Sequence, residues 1–88
     1  MENISITKVG RCGQEDKGDC IVEVYPCDRL KIVIHSVVEK FFKEEIEKTI
    51  RDVLKKNGIQ NAKISFKDKG ALDWVIRARL NCALGRAK

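Results

Sequence analysis

An apolar stripe with a helical period runs through the middle of this 88-residue chain. Its members recur every fourth residue: Val38, Phe42, Ile46, Ile50 and Leu54. Acidic and basic residues lie between them in pairs four residues apart with the acid first, which stabilises an exposed helix face. Because every fourth residue returns to the same side of an α-helix, the pattern predicts one long amphipathic helix that must bury its apolar side.

Both ends of this helix carry their own signals. Ser36 and Glu39 have the spacing of a capping box, in which each side chain accepts a hydrogen bond from the other residue's backbone N–H. Asn57 and Gly58 follow the last apolar position, and glycine commonly ends a helix in the left-handed conformation. We therefore expect the helix to begin after Ser36 and to end before Gly58.

Three shorter segments alternate with the two-residue period of a strand: residues 20–25, 30–35 and 62–67. Pro26 and the residues up to Arg29 separate the first two, which predicts an antiparallel hairpin. Residues 68–70, Asp-Lys-Gly, predict a turn after the third strand.

The last segment fits two patterns. Alternation of Trp74, Ile76, Ala78 and Leu80 predicts a fourth strand over 74–80 that pairs with the third, followed by a short helix over 81–86. Leu72, Ile76, Leu80 and Leu84 also fit one helical stripe, so a continuous helix remains the alternative. We favour the strand.

These elements predict an α+β fold: a small antiparallel sheet of about four strands, with the long helix on one face and a short C-terminal helix. The length suits a single domain over 1–88, in which residues 1–18 form a flexible N-terminal segment and loop. The second face of the sheet would carry Val75, Arg77 and Arg79, which are too polar for a core and suit an interface.

Composition excludes several classes of function. The net charge is +5, but acids interleave with the lysines and aromatics are only 6%, which argues against a nucleic-acid partner. No apolar run is long enough to span a membrane, and the N-terminus does not resemble a signal peptide, so we expect a cytoplasmic protein without a membrane partner.

We expect no catalytic residue and no metal site. The cysteines, Cys12, Cys20, Cys27 and Cys82, lack the paired spacing of zinc ligands. Cys20 lies in an apolar run and should be packed, whereas polar neighbours suggest that Cys12 is exposed. The single histidine, His35, has no nucleophile near it in sequence, so a structural role is favoured.

Two motifs carry a resemblance to a known family. Residues 68–73, Asp-Lys-Gly-Ala-Leu-Asp, are followed by Arg-Ala-Arg at 77–79, and this string resembles the acyl carrier (gamma) subunit of citrate lyase. Residues 36–42, Ser-Val-Val-Glu-Lys-Phe-Phe, resemble the start of that family's helix. The resemblance covers nearly the whole chain, and a more distant one is to the acyl carrier subunit of malonate decarboxylase.

The resemblance implies a carrier that performs no bond-breaking itself. Such a carrier holds a phosphoribosyl-dephospho-coenzyme A arm through a phosphodiester to a serine, and the thiol of the arm bears acetyl. An alpha subunit exchanges acetyl for citrate on that thiol, a beta subunit cleaves the citryl thioester, and a separate synthase attaches the arm. The implied partners are therefore the citrate lyase alpha and beta subunits and that synthase.

The anchor loop departs from the family's pattern. Gly13, Gly18 and Asp19 align with the family's loop, but Lys17 occupies the position of the serine that carries the arm. A lysine amine cannot form that phosphodiester, so we expect the arm to be absent, and none of Ser5, Ser36 and Ser65 is a convincing substitute. Two alternatives remain: an acyl group held on Cys12 or as an amide on Lys17, or an anchor elsewhere, such as Thr7.

A second function from another class stays open: an unmodified interaction or regulatory domain that binds protein partners or an anionic ligand. An exposed loop at 16–19 that adjoins Arg77 and Arg79 would favour the carrier. A continuous positive stripe along the long helix would favour the interaction domain.

Overall fold

The computed structural model describes residues 6–14, 16–35 and 40–88. In this part of the chain, four strands and two helices follow one another: β1 (Gly10–Gly13), β2 (Cys20–Tyr25), β3 (Leu30–His35), α1 (Lys40–Lys56), β4 (Ala62–Asp68) and α2 (Asp73–Ala87). The α+β class, the long helix and the three predicted strands are confirmed. No helix of the described ranges is long and apolar enough to cross a membrane.

The sheet has the strand order β1-β2-β4-β3 and is mixed rather than purely antiparallel. β2 pairs antiparallel with β4, whereas β3 pairs parallel with β4, so the predicted hairpin of residues 20–25 and 30–35 is wrong. The physical reason is the connection through α1: a strand, a helix and a second strand form a unit that places the two strands side by side and parallel. β4 is thereby inserted between β2 and β3.

The predicted strand over 74–80 is also wrong, because α2 runs without interruption from Asp73 to Ala87. Its buried side chains follow a helical spacing: Ile76, Leu80, Ala83, Leu84 and Ala87. Trp74, which the alternating pattern had counted among the inward-facing residues, is 68% exposed. The continuous helix left as the alternative is the observed structure.

Both helices pack on one face of the sheet. Cys12, Val22 and Phe66 of the sheet share a single core with residues of both helices, including Ile50 of α1 and Leu80 of α2. The other face is left without a helix in the described part of the chain, as the alternation of half-buried and exposed residues along β3 shows. The fold is therefore two layers, and the other sheet face is open along β3 and β4, whereas Ile21 of β2 on that face is only 2% exposed.

The ends of the elements agree in part with expectation. Gly58 has a φ of 70° just after α1, as predicted, and the Asn57 side-chain amide donates to the carbonyl of Val53 at 2.8 Å. The capping box of Ser36 and Glu39 lies outside the described residues. Residues 10–13 were expected in a flexible segment but form β1. The strand was not predicted because it is only four residues long and two of them are glycines.

Candidate functional site

The loop between β1 and β2 ends in a tight turn with Lys17 at its tip. The backbone N–H of Asp19 donates to the carbonyl of Asp16 at 3.0 Å, which leaves Lys17 and Gly18 in the central positions. Gly18 has a φ of +85°, the left-handed value that a type II turn requires at its third residue. Lys17 and Gly18 are both exposed, and Lys17 forms no ion pair with a described residue.

Backbone hydrogen bonds fasten this turn to the connection between β4 and α2. The Gly18 N–H donates to the Lys69 carbonyl at 2.8 Å, and the Lys69 N–H donates to the Asp19 carbonyl at 3.0 Å. Lys69 belongs to a turn of its own, in which the buried Asp68 carboxylate accepts from the amides of Gly70 and Ala71 at 3.1 and 2.9 Å. Two turns thus brace each other at one end of the sheet.

A charged pair adds a link from the loop to α2. Asp19 Oδ1 accepts from Arg79 Nε at 3.0 Å, and Asp19 Oδ2 accepts from Arg79 Nη2 at 3.1 Å. The Cys20 amide also donates to Asp19 Oδ1, at 2.7 Å. These hydrogen bonds, that from Arg79 first, lower the pKa of the Asp19 carboxyl, so it is an anion at neutral pH. The carboxylate is held firmly and is not free to act as a base.

The end of β1 requires a glycine. Gly13, the last residue of β1, has a φ of +108°, and a side chain there would collide with the carbonyl oxygen of Cys20. Only glycine satisfies both the left-handed backbone and this close approach. The loop therefore leaves β1 in a direction that a larger residue could not adopt.

Arg77 connects the two helices, whereas Arg79 contacts the loop. Its Nε donates to Asp73 Oδ2 at 2.8 Å and its Nη1 donates to Asp52 Oδ2 at 2.7 Å, so it joins α2 to α1. The Thr49 hydroxyl of α1 donates to Asp73 Oδ1 at 2.6 Å. The pKa of Asp73 is lowered by the Thr49 hydrogen bond and then by Arg77, and the pKa of Asp52 is lowered chiefly by Arg77.

The predicted placement of Val75, Arg77 and Arg79 on a second sheet face is therefore wrong. All three lie on α2, which packs on the core side of the sheet. Both arginines brace the scaffold, one between the helices and one against the loop. The two arginines of the Arg-Ala-Arg string therefore make separate structural contacts.

The cysteines do not offer a reactive thiol at the loop. Cys20 is fully buried at the start of β2, and burial raises the pKa of its thiol to about 12. Cys12, expected to be exposed, is 7% exposed and belongs to the core, because β1 pairs with β2 and turns this side chain inward. The pKa of Cys82 is raised, first by a hydrogen bond with Cys12.

The structure brings the four predicted loop residues together: Gly13, Lys17, Gly18 and Asp19 lie on one connection of the sheet. Sequence reasoning missed Lys69 as a partner of the loop, and it placed Arg79 only on a surface that the loop would adjoin, without its direct pairing with Asp19. The signal available was the turn at 68–70, but nothing in the sequence says which loop such a turn contacts. Within the described ranges, no three His, Cys, Asp or Glu side chains come together as a metal site.

Comparison with known proteins agrees with this architecture. The family model described as "Malonate decarboxylase delta subunit (MdcD)" matches residues 7–87. The citrate lyase acyl carrier protein of Haemophilus influenzae (strain PittGG) is 48% identical over 84 residues, 96% of this chain and 88% of that protein. That of Treponema denticola is 38% identical over 84 residues, 96% of this chain and 97% of that protein.

A chain in the crystal structure of a Pseudomonas malonate decarboxylase hetero-tetramer in complex with malonate has the same fold. It superposes with a TM-score of 0.82 at 18% identity, covering 98% of this chain and 90% of that chain. The fold is therefore that of this decarboxylase chain, and the family model and the two citrate lyase relatives show that the class is that of acyl carrier proteins. The chain belongs to the citrate lyase acyl carrier protein family, whose members are non-catalytic subunits of a larger enzyme complex.

Proposed function

We propose that this chain is the acyl carrier subunit of a citrate-lyase-type complex and that the turn at Asp16–Asp19 is its anchor site. Lys17 stands, in this proposal, at the position where the family's serine holds the arm. The supporting observation is that Lys17 is exposed at the tip of a turn that Lys69, just after β4, and Arg79 of α2 both brace. A carrier needs such a fixed base, because its cargo must reach a partner's site in a defined direction.

The residues of this turn do not fit the family's linkage. A phosphodiester to the protein needs a side-chain hydroxyl, and residues 13–19 contain none. We therefore infer that phosphoribosyl-dephospho-coenzyme A is not held here through the family's bond. An anchor at Cys12 is disfavoured because that thiol is buried in the core.

Thr7 is also a poor substitute anchor. Its backbone N–H donates to the carbonyl of Ala87 at 3.0 Å, which puts Thr7 beside the C-terminal end of α2. The turn with Lys17 is fastened to Lys69, just before the N-terminal end of the same helix. Arg79, which binds Asp19, is separated from Ala87 by about 12 Å along the helix axis, so Thr7 does not adjoin the turn with Lys17.

The partners that follow from this proposal are the alpha and beta subunits of the lyase and the arm-attaching synthase. The rival function, an anionic-ligand domain acting through the long helix, has less support. Two of the basic side chains of α1 are bonded to acids one turn away: Arg51 to Glu47 at 3.5 Å and Lys56 to Asp52 at 3.2 Å. The interleaved acids break the positive stripe that such a ligand would need.

Co-expression with a citrate lyase holo-carrier synthase, followed by intact-mass measurement, tests the anchor assignment. The chain with its own sequence is expected to gain no arm. Lys17→Ser places a hydroxyl at the tip of the turn and is expected to gain one. Lys69→Ser is the matched control, since it puts a serine on the neighbouring braced turn and should stay unmodified. An arm on the unmutated chain, or equal amounts of arm on both serine variants, would contradict the assignment.

A further inference from the structure

The open face of the sheet concentrates positive charge. Its exposed cations come from three strands: Arg11 of β1, Lys31 of β3, and Lys63 and Lys67 of β4. Among the described residues that share this face, the only acid is Glu23, and its carboxylate accepts from the Tyr25 hydroxyl at 2.6 Å. Four cations against one acid give the face a net charge of +3, out of +5 for the whole chain.

Two of these cations are set directly opposite each other, because Lys31 pairs in register with Lys63 across β3 and β4. Lys67 lies opposite His35, and Arg11 lies opposite Glu23. Basic residues in such cross-strand positions lie about 5 Å apart, and two like charges there destabilise a sheet. None of the four cations forms an ion pair with a described residue. No ion pair within the described residues therefore relieves the repulsion between Lys31 and Lys63.

Protection of a sheet edge accounts for only part of this pattern. Lysine on an edge strand prevents unwanted pairing with another chain, and Lys31 lies on the edge strand β3. Lys63 and Lys67 lie on β4, which is hydrogen-bonded to a strand on either side and has no free edge. Edge protection therefore does not explain the charge of these two lysines.

We propose that this open face, defined by Arg11, Lys31, Lys63 and Lys67, docks onto an acidic surface of a partner subunit of the lyase complex. The inference rests on the proposed function, because it supplies the partner that the carrier serves. Carboxylates of the partner would neutralise cations that now repel one another, so binding and relief of repulsion act together. The face also begins where β1 ends and β2 begins, so docking leaves the turn with Lys17 at the rim of the interface.

The aromatic content of this face favours a protein partner over nucleic acid. Single-stranded nucleic acid needs exposed rings on which bases stack. Among the described residues of the face, Tyr25 is the only aromatic; it is half-buried, and the Lys63 ammonium lies 5.7 Å from the centre of its ring. The face offers charge without a stacking platform.

Charge reversal on this face tests the docking. The double variant Lys63→Glu/Lys67→Glu puts a carboxylate opposite Lys31 and removes the like-charge pair there, so it should fold about as stably as the unmutated chain. The matched control is Lys48→Glu/Lys55→Glu, which makes the same change of charge on exposed positions of α1. Kd for the purified alpha and beta subunits from the same host is measured for each by calorimetry at low and high salt.

The face variant is expected to raise Kd on the order of tenfold or more, and the control to change it much less. The Kd of the unmodified chain is expected to rise with salt. Equal Kd values for the face variant and the unmodified chain would overturn the docking inference while leaving the carrier proposal intact. No binding by the unmodified chain would overturn the proposed function itself. Loss of binding to a single-stranded DNA probe, with subunit binding unchanged, would identify the face as a nucleic-acid site and also overturn the inference.

Discussion

The guanidinium of Arg79 binds the carboxylate of Asp19 through two hydrogen bonds, of 3.0 and 3.1 Å, between residues 60 positions apart in the chain. A paired contact of this kind fixes direction as well as distance, because both groups are planar. It ties the start of β2 to the middle of α2, and the turn that carries Lys17 inherits its orientation from that tie. The orientation of the loop therefore depends on a helix distant in sequence.

Removal of this contact should loosen the loop without unfolding the domain. In Arg79→Gln, the backbone amides of Gly18, Asp19 and Lys69 are expected to exchange with solvent faster, because their hydrogen bonds lose the support of the charged pair. Hydrogen exchange followed by NMR measures this. Arg77→Gln is the control: it breaks contacts between α1 and α2 and should leave those three amides unchanged. Equal protection in Arg79→Gln and the unmodified chain would show that backbone bonds alone hold the turn.

Stability should fall in acid because three carboxylates are held by hydrogen bonds. The pKa values of Asp19, Asp52 and Asp73 all lie below the ordinary 3.8, so each folded carboxyl binds protons less readily than its unfolded counterpart. The stabilisation is fully present above pH 3.8 and is lost as the pH falls through the folded-state values. Urea unfolding midpoints from about pH 6 to about pH 2, with carboxyl pKa values from NMR, measure it. Carboxyl pKa values of 3.8 or higher would contradict this expectation.

Alanine substitution should lower the free energy of unfolding at Gly18 and raise it at Gly85. Gly18→Ala forces a side chain into the left-handed region at φ +85° and should cost about 1 kcal/mol of unfolding free energy, although open space surrounds the site. Gly85→Ala lies within α2 with open space around it, and should stabilise by up to about 0.5–1 kcal/mol. Chemical denaturation of both variants measures the two changes in unfolding free energy. Equal effects of the same sign would show that the turn does not hold Gly18 in that conformation.

Cys20 should be inert in the folded protein. Its thiol is fully buried and its pKa is raised to about 12, so almost no thiolate forms at neutral pH. Alkylation by iodoacetamide, followed by peptide mass mapping, is expected to modify the half-buried Cys27 first and Cys20 only in denaturant. Rapid alkylation of native Cys20 would show that the start of β2 opens readily.

The sequence allowed the long helix and three strands to be predicted because each has one unambiguous period. Residues 74–80 do not: Ile76 and Leu80 are four apart, which suits a strand and a helix equally. The strand was favoured because Trp74 and Ala78 alternate with these two residues, but both are exposed, Trp74 to 68% at the start of α2. So short an alternation does not distinguish the two structures, since tertiary packing decides which side is buried.

Pairing of strands and bracing of the loop depend on contacts between distant residues. A turn at Pro26–Arg29 is compatible with a hairpin, and only the insertion of β4 shows that the two strands flank another. Likewise, Lys17, Gly18 and Asp19 could be identified as a loop from their own composition. Arg79 could not be assigned to that loop, because its partner is set by how α2 crosses the sheet. Local pattern predicts elements, and packing selects the contacts that hold a site.

The decisive measurement is native mass spectrometry of the assembly recovered from the host's own cells through a tag on this chain. The chain should be found with larger citrate-lyase-type subunits. After dissociation, the chain should show no added mass that corresponds to a phosphoribosyl-dephospho-coenzyme A arm. A chain recovered alone would contradict the role of carrier subunit. A chain recovered in the complex with the mass of the arm added would contradict the assignment of Lys17 to the anchor position.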